Sequence, residues 1–223
     1  MNRDGRGRPR LVQPRRPGAT AREEILDAAG ELFTTQGYAN TSTRAVADAV
    51  GIRQASLYHH FATKDDILDA LLAQTLDAPL RLAAELLAEA GSPAQRLHIL
   101  IVFDAEQLCR GRWNLGVLYL LPELRVPRFA EFRQRRELLR GHYRSLAAAV
   151  TAECDGPPHA DDLPFRLVES VVNRRADDGF CLPEACWSVG DAALRLLGYQ
   201  GDFQALRRGT ADRLQLAPVN VTS

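Results

Sequence analysis

The side chains best suited to recognition chemistry crowd between Ser42 and Lys64. An arginine reads the edge of guanine, or holds a phosphate, and a glutamine reads the edge of adenine, each through paired hydrogen bonds. Arg44 and Gln54 have those capacities, and Ala55 is small enough to sit against a thymine methyl. Ser42, Thr43, Tyr58 and Lys64 suit phosphate oxygens, with helix N-termini adding favourable dipoles. His59 suits either job, and Arg53 and Ser56 complete the candidate DNA-contacting set.

Two short helices must position these groups. On a wheel at about 100° per residue, Ala45, Val46, Ala47, Ala49 and Val50 of the segment Thr43–Val50 share one broad side, opposite Arg44 and Asp48. In the segment Gln54–Phe61, Leu57, His60 and Phe61 share an arc, opposite Gln54, Ala55, Ser56, Tyr58 and His59. Gly51 permits a left-handed turn between them, and Ile52 plugs the space beneath. Such a helix-turn-helix places its second helix in the major groove of DNA.

The surrounding pattern predicts an all-α chain. Thr20 and Glu23 form a capping box ahead of Ile25, Leu26, Ala29, Leu32 and Phe33, and Gly37 closes that helix. Ser42 caps the second helix and Gly51 stops it. Thr63 caps a long fourth helix to about residue 90, with Pro79 inside it as a pivot or a static kink. Ser92-Pro93 opens a helix to about Arg110. Further helices are expected around 114–121, 127–153, 164–178 and 183–197, with one or two more up to about 216. No sustained period-two alternation predicts a strand.

Charge divides the chain unevenly. Across 223 residues the formal net charge is zero, yet residues 1–64 hold ten basic groups against six acidic ones. Only that head is suited to meet a polyanion. Residues 1–19 read as a flexible basic arm. Within it, Arg6-Gly7-Arg8-Pro9-Arg10 resembles the core of an AT-hook. The arm is either a solvated tail with non-specific phosphate affinity or a reader of the narrow A·T minor groove. No membrane span or secretory leader is evident, and a cytoplasmic protein is expected.

Phe33, Gly37-Tyr38, Thr41-Ser42-Thr43-Arg44, Val46-Ala47, Ala49, Gly51-Ile52, Ser56-Leu57-Tyr58, His60-Phe61, Lys64 and Ile67-Leu68 together closely resemble the N-terminal domain of TetR-family transcriptional regulators. The resemblance covers about residues 20–72. It implies a three-helix DNA-binding domain over 20–72 and an effector-binding and dimerisation domain, a helical bundle, over 73–223. It also implies phosphate contacts at Tyr58 and Lys64, base-facing positions at Arg44, Gln54, Ala55 and His59, and a homodimer. Twofold symmetry would then demand a palindromic operator.

The resemblance places the dimer interface on the last two long helices, at Val168, Val171, Val172, Ala185, Val189, Ala192, Ala193 and Leu196, some of which also suit their own subunit's core. Gaps between bundle helices are common ligand sites. The candidates for a small, largely apolar effector are Phe103, Gln107, Trp113, Tyr119, His142 and Tyr143, each of which would serve equally as plain core. No catalytic set, cofactor motif or metal site is expected. Cys109, Cys154, Cys181 and Cys186 are too scattered for a disulfide framework, and Cys181 and Cys186 read as small core or loop residues. The expected function is an effector-released repressor. An activator or effector-independent DNA-binding protein is the alternative, and a helical enzyme with an incidental basic head is the remote one.

Overall fold

The computed structural model describes residues 16–216, and every regular element among them is helical. The AT-hook-like run at 6–10, with the rest of the arm before Arg16, lies outside the described residues. The chain divides between Leu68 and Asp69, against the expected boundary after Leu72.

The first unit holds α1 (Ala21–Thr35), α2 (Thr43–Val50), α3 (Gln54–Tyr58) and the start of α4 (Lys64–Ala88). Local chemistry explains the starts. The Thr20 hydroxyl accepts from the Glu23 amide while the Glu23 carboxylate accepts from the Thr20 amide, a full capping box. Ser42 Oγ accepts from the Ala45 amide at 3.1 Å and so caps α2. Thr63 and Asp66 exchange a similar pair of bonds at the head of α4. Gly51 ends α2 at φ +77°, a conformation that costs other residues about 1–2 kcal/mol. Ile25, Leu26, Ala29 and Phe33 from α1 are buried, as are Val46, Ala47 and Val50 from α2, and Leu57, Phe61, Ile67 and Leu68.

One boundary differs from the sequence expectation. α3 stops at Tyr58, not Phe61, and His59 is its C-cap. The Leu57 carbonyl accepts from both the His60 and Phe61 amides, which closes the chain into a turn. Phe61 still reaches the core, but His60 turns out to solvent instead of sharing the buried arc.

In the second unit α5 (Pro93–Arg110) is the central helix, packed against α6 (Ala130–Cys154), α7 (Leu163–Asp178), α8 (Pro183–Leu196) and α9 (Phe203–Leu214). The expected helix from 127 begins late. Short 3-10 turns run over Leu115–Leu120, Pro122–Arg125 and Pro127–Phe129, and α6 starts at Ala130. Prolines set these breaks by holding Leu121 and Val126 extended.

Pro79 lies inside α4 and deprives the Thr75 carbonyl of its helical donor. Gln107 Nε2 replaces it at 2.8 Å. Gly190 of α8 lies against α5, where a Cβ would meet the His98 ring at 2.8 Å. That ring is fixed by Thr210 Oγ1 at 2.7 Å and Asp191 Oδ1 at 3.3 Å. Burial holds the His98 pKa below its ordinary value. Burial would raise Asp191, but bonds from His98 and Arg207 overcome it and leave that carboxyl below the usual range.

Candidate nucleic-acid interface

Leu57 is 0% exposed and anchors α3, so the opposite face of this helix points outward. There Gln54, Ala55, Ser56, Tyr58 and His59 are all exposed, and Arg53 precedes them in the turn. Gln54 Nε2 donates to Thr43 Oγ1 at 3.0 Å and to Tyr58 Oη at 3.3 Å, while those two hydroxyls lie 3.2 Å apart. This surface triad orients Gln54 across the two helices before any partner arrives. Arg44 is nearly free, paired only loosely with Asp48 at 3.9 Å. At that exposure the pair contributes little and releases readily.

A shallow groove beside the triad is lined by Thr41, Ser42, Thr43, Tyr58, Thr63 and Lys64, among others. The N-termini of α2 and α4 both open on it. Hydroxyls and two helix dipoles aimed at one concavity have the chemistry to suit an anion such as a phosphate. Lys64 sits differently from a free phosphate contact. Its Nζ donates to the Tyr38 carbonyl at 2.8 Å and the Thr41 carbonyl at 3.0 Å, and lies 4.1 Å from the centre of the Tyr38 ring. Two of its three donors thus tie the groove floor together.

Arg16 was not anticipated as an organising residue. It ion-pairs with Asp27 at 3.3 Å and with Glu31, and Nε reaches the Ala49 carbonyl at 3.4 Å. It therefore binds the approach to α1 onto both α1 and α2. Its Arg-Gly-Pro surroundings look like linker, and only the tertiary partners reveal the role.

Chain comparison accords with this geometry. Residues 25–71 match the family model for bacterial regulatory proteins of the tetR family. The HTH-type transcriptional repressor KstR2 of Mycobacterium tuberculosis is 34% identical over 155 residues, covering 68% of this chain and 77% of that one. The chain belongs to the TetR family. A crystal structure of Mycobacterium smegmatis AmtR is 69% identical, with a TM-score of 0.91 over 93% of this chain and 100% of that one. The fatty acid metabolism regulator protein of Bacillus subtilis is 26% identical over 156 residues, 70% of this chain and 79% of that one. This TetR-family chain is therefore a DNA-binding transcriptional regulator and not an enzyme. Among the described residues no helix is long and apolar enough to cross a membrane.

Two of the expected effector residues meet at one cavity. Gln107 and Trp113 line a cavity of about 180 Å³ with Gln74, Thr75, Leu108, Gly111 and Leu115. Phe103, Tyr119 and His142 are partly buried, and the Tyr119 hydroxyl hydrogen-bonds with Thr75 of that lining. Tyr143 is fully buried, and its hydroxyl donates to Asp104 Oδ2 at 2.9 Å. Asp104 was missed in the sequence because a lone acid in an apolar helix gives no sign of its depth. Burial pushes its carboxyl up to about 7, against the Tyr143 bond, which lowers it.

The expected interface residues divide as well. Val168, Val171, Val172, Ala185 and Ala193 are buried within their own subunit. Val189 and Ala192 are half-buried, and Leu196 is exposed. The cysteine reading needs correction. Cys109 and Cys181, scattered in sequence, form a disulfide, and buried Cys186 lies beside them.

Proposed function

We propose that this regulator is a homodimeric repressor that occupies a palindromic operator and leaves it when a small molecule binds the second unit. The outward triad of Thr43, Gln54 and Tyr58 above a fully buried Leu57 carries the reading. Gln54 and Arg44 read bases, with Ala55 and His59 alongside them. Thr43, Tyr58, Ser42 and the two helix N-termini hold phosphates, and Lys64 keeps their groove in shape. Arg53 and Ser56 flank the reading face.

One such face offers too few base contacts to select a genomic site, so a second copy is needed. The exposed side of α8, with Leu196, Ala192 and Val189, is the surface offered for it. The effector is small and largely apolar. Leu108, Trp113 and Leu115 form apolar walls, with Gln74 and Gln107 as polar handles. The cavity lies below the ~300 Å³ at which ligand sites for drug-sized molecules begin. KstR2 of Mycobacterium tuberculosis carries the description ketosteroid transcriptional regulator; a ligand of that size would need this cavity to open.

Fluorescence anisotropy on duplexes from the DNA upstream of the chain's own gene tests the reading. Two protomers should bind one duplex and discriminate it from unrelated DNA by at least about a thousandfold. Equal affinity for both, falling together with salt, would reject it.

A further inference from the structure

Three sulfurs converge where the C-terminal end of α5, the α7–α8 turn and the first turn of α8 meet. Cys109 and Cys181 are disulfide-bonded across 72 residues of sequence, with Cα atoms 5.4 Å apart. Cys186 supplies the third sulfur, and the three Sγ atoms all lie within 4.8 Å of one another. Cys186 is 1% exposed, while Cys109 and Cys181 remain partly accessible. Charges surround it from two helices. Burial pushes the Cys186 thiol up to about 12 and Glu106 of α5, itself paired with Arg110 at 2.6 Å, adds to that, while Arg110 of α5 and Arg174 of α7 pull the other way.

We propose that Cys109, Cys181 and Cys186, once the disulfide is reduced, form a three-thiolate binding site for one thiophilic metal ion. Metal–thiolate bonds of about 2.3 Å place three sulfurs around one ion about 4 Å apart. Three Sγ atoms already within 4.8 Å of one another, on Cα atoms 5.4 Å apart for the bonded pair, are near that spacing. Among the described residues no fourth Cys, His, Asp or Glu joins the group. Three thiolates alone favour soft ions over hard oxygen-seeking cations. Binding a divalent ion converts three thiols to thiolates and releases three protons, leaving one net negative charge beside Arg110 and Arg174. The disulfide form lacks two of the donors, so oxidation and metal occupancy exclude each other. The site is independent of the DNA-contacting face, and its failure would leave that reading untouched.

The test uses the full chain under anaerobic conditions. A phosphine reductant gives two electrons to the Cys109–Cys181 bond and, with one water, ends as phosphine oxide while two thiols form. Cadmium ion alone is then titrated, with the thiolate-to-cadmium charge-transfer absorption and equilibrium dialysis as readouts. One ion per reduced chain and none in the disulfide form are expected. Losing a direct ligand should weaken binding at least as much as the ~10–100-fold cost of losing an outer partner. Cys186→Ser and Cys181→Ser should both show this, the latter altering only a surface turn and keeping the wild-type helical circular dichroism. Cys154→Ser, whose sulfur lies outside the cluster, should bind as wild type. A reduced chain that takes up no stoichiometric cadmium overturns the proposal. So does a Cys181→Ser chain that binds like wild type, or loss of binding in Cys154→Ser.

Discussion

Replacing Asp104 with asparagine should make the chain more stable, and increasingly so as pH rises. The Asp104 carboxyl is buried on α5 and its pKa is raised from 3.8 to about 7. The folded state thus holds this proton more tightly than the unfolded chain. Between pH ~4 and ~7 it binds more protons than the unfolded state, so stability falls as pH rises through that window. Below the window the acid is neutral in both states and costs nothing. Above it, about three pKa units at 1.36 kcal/mol each give a penalty of about 4 kcal/mol. Asparagine keeps the shape and the acceptor for the Tyr143 hydroxyl, and carries no charge at any pH. Its advantage should therefore grow from about 0.5 kcal/mol at pH 4 to about 4 kcal/mol at pH 8. Any cost of placing its amide is independent of pH and drops out of the slope. Urea unfolding followed by circular dichroism reads the difference, as a midpoint gap widening by about 2 M over that range for a slope near 2 kcal/mol/M. A gap that stays constant from pH 4 to pH 8, or shrinks, would refute the argument.

Gly190→Ala should lower stability by about 1–3 kcal/mol, because the new methyl meets a His98 ring that Thr210 and Asp191 hold in place; thermal unfolding within 0.3 kcal/mol of wild type would count against that close approach. Gln54→Ala should cost about 1–3 kcal/mol of operator affinity and relax one base position per half-site, whereas Tyr58→Phe should weaken all duplexes alike. Competition binding across single-base operator variants separates the two patterns, and the reverse assignment would remove both roles. Denatured protein kept from reductant should show two thiols, those of Cys154 and Cys186, rising to four after reduction; four at the outset would deny the Cys109–Cys181 bond.

What could be read from sequence was chiefly what is local. A helix start is set by a cap within three residues, so Thr20, Ser42 and Ser92 mark α1, α2 and α5 without knowledge of the fold. The outward turn of Gln54 and Tyr58 followed from Leu57, because one deeply apolar residue fixes the phase of so short a helix. The end of α3 did not follow, since Leu57 and Phe61 are spaced as on a helix although a turn delivers the second to the core. Gln107 illustrates a different gap. It looked like a ligand handle, and it does line the cavity, but its amide answers the carbonyl that Pro79 leaves open on α4. That job depends on the register between two helices. The valines of α7 were ambiguous in the same way, because apolar spacing cannot tell a subunit's own core from a partner's. The sulfur cluster joins positions far apart in the chain and is visible only once α5, α7 and α8 are assembled.

The docking of the α2–α3 face on DNA is tested most directly by hydroxyl-radical footprinting on the DNA upstream of the chain's own gene. The account predicts two protected tracts on one face of the duplex, centred about one helical turn or a multiple of it apart. Protection at the bases read should be lost in the double variant Arg44→Ala, Gln54→Ala. Uniform protection of any duplex, or a footprint unchanged by that double substitution, would contradict it.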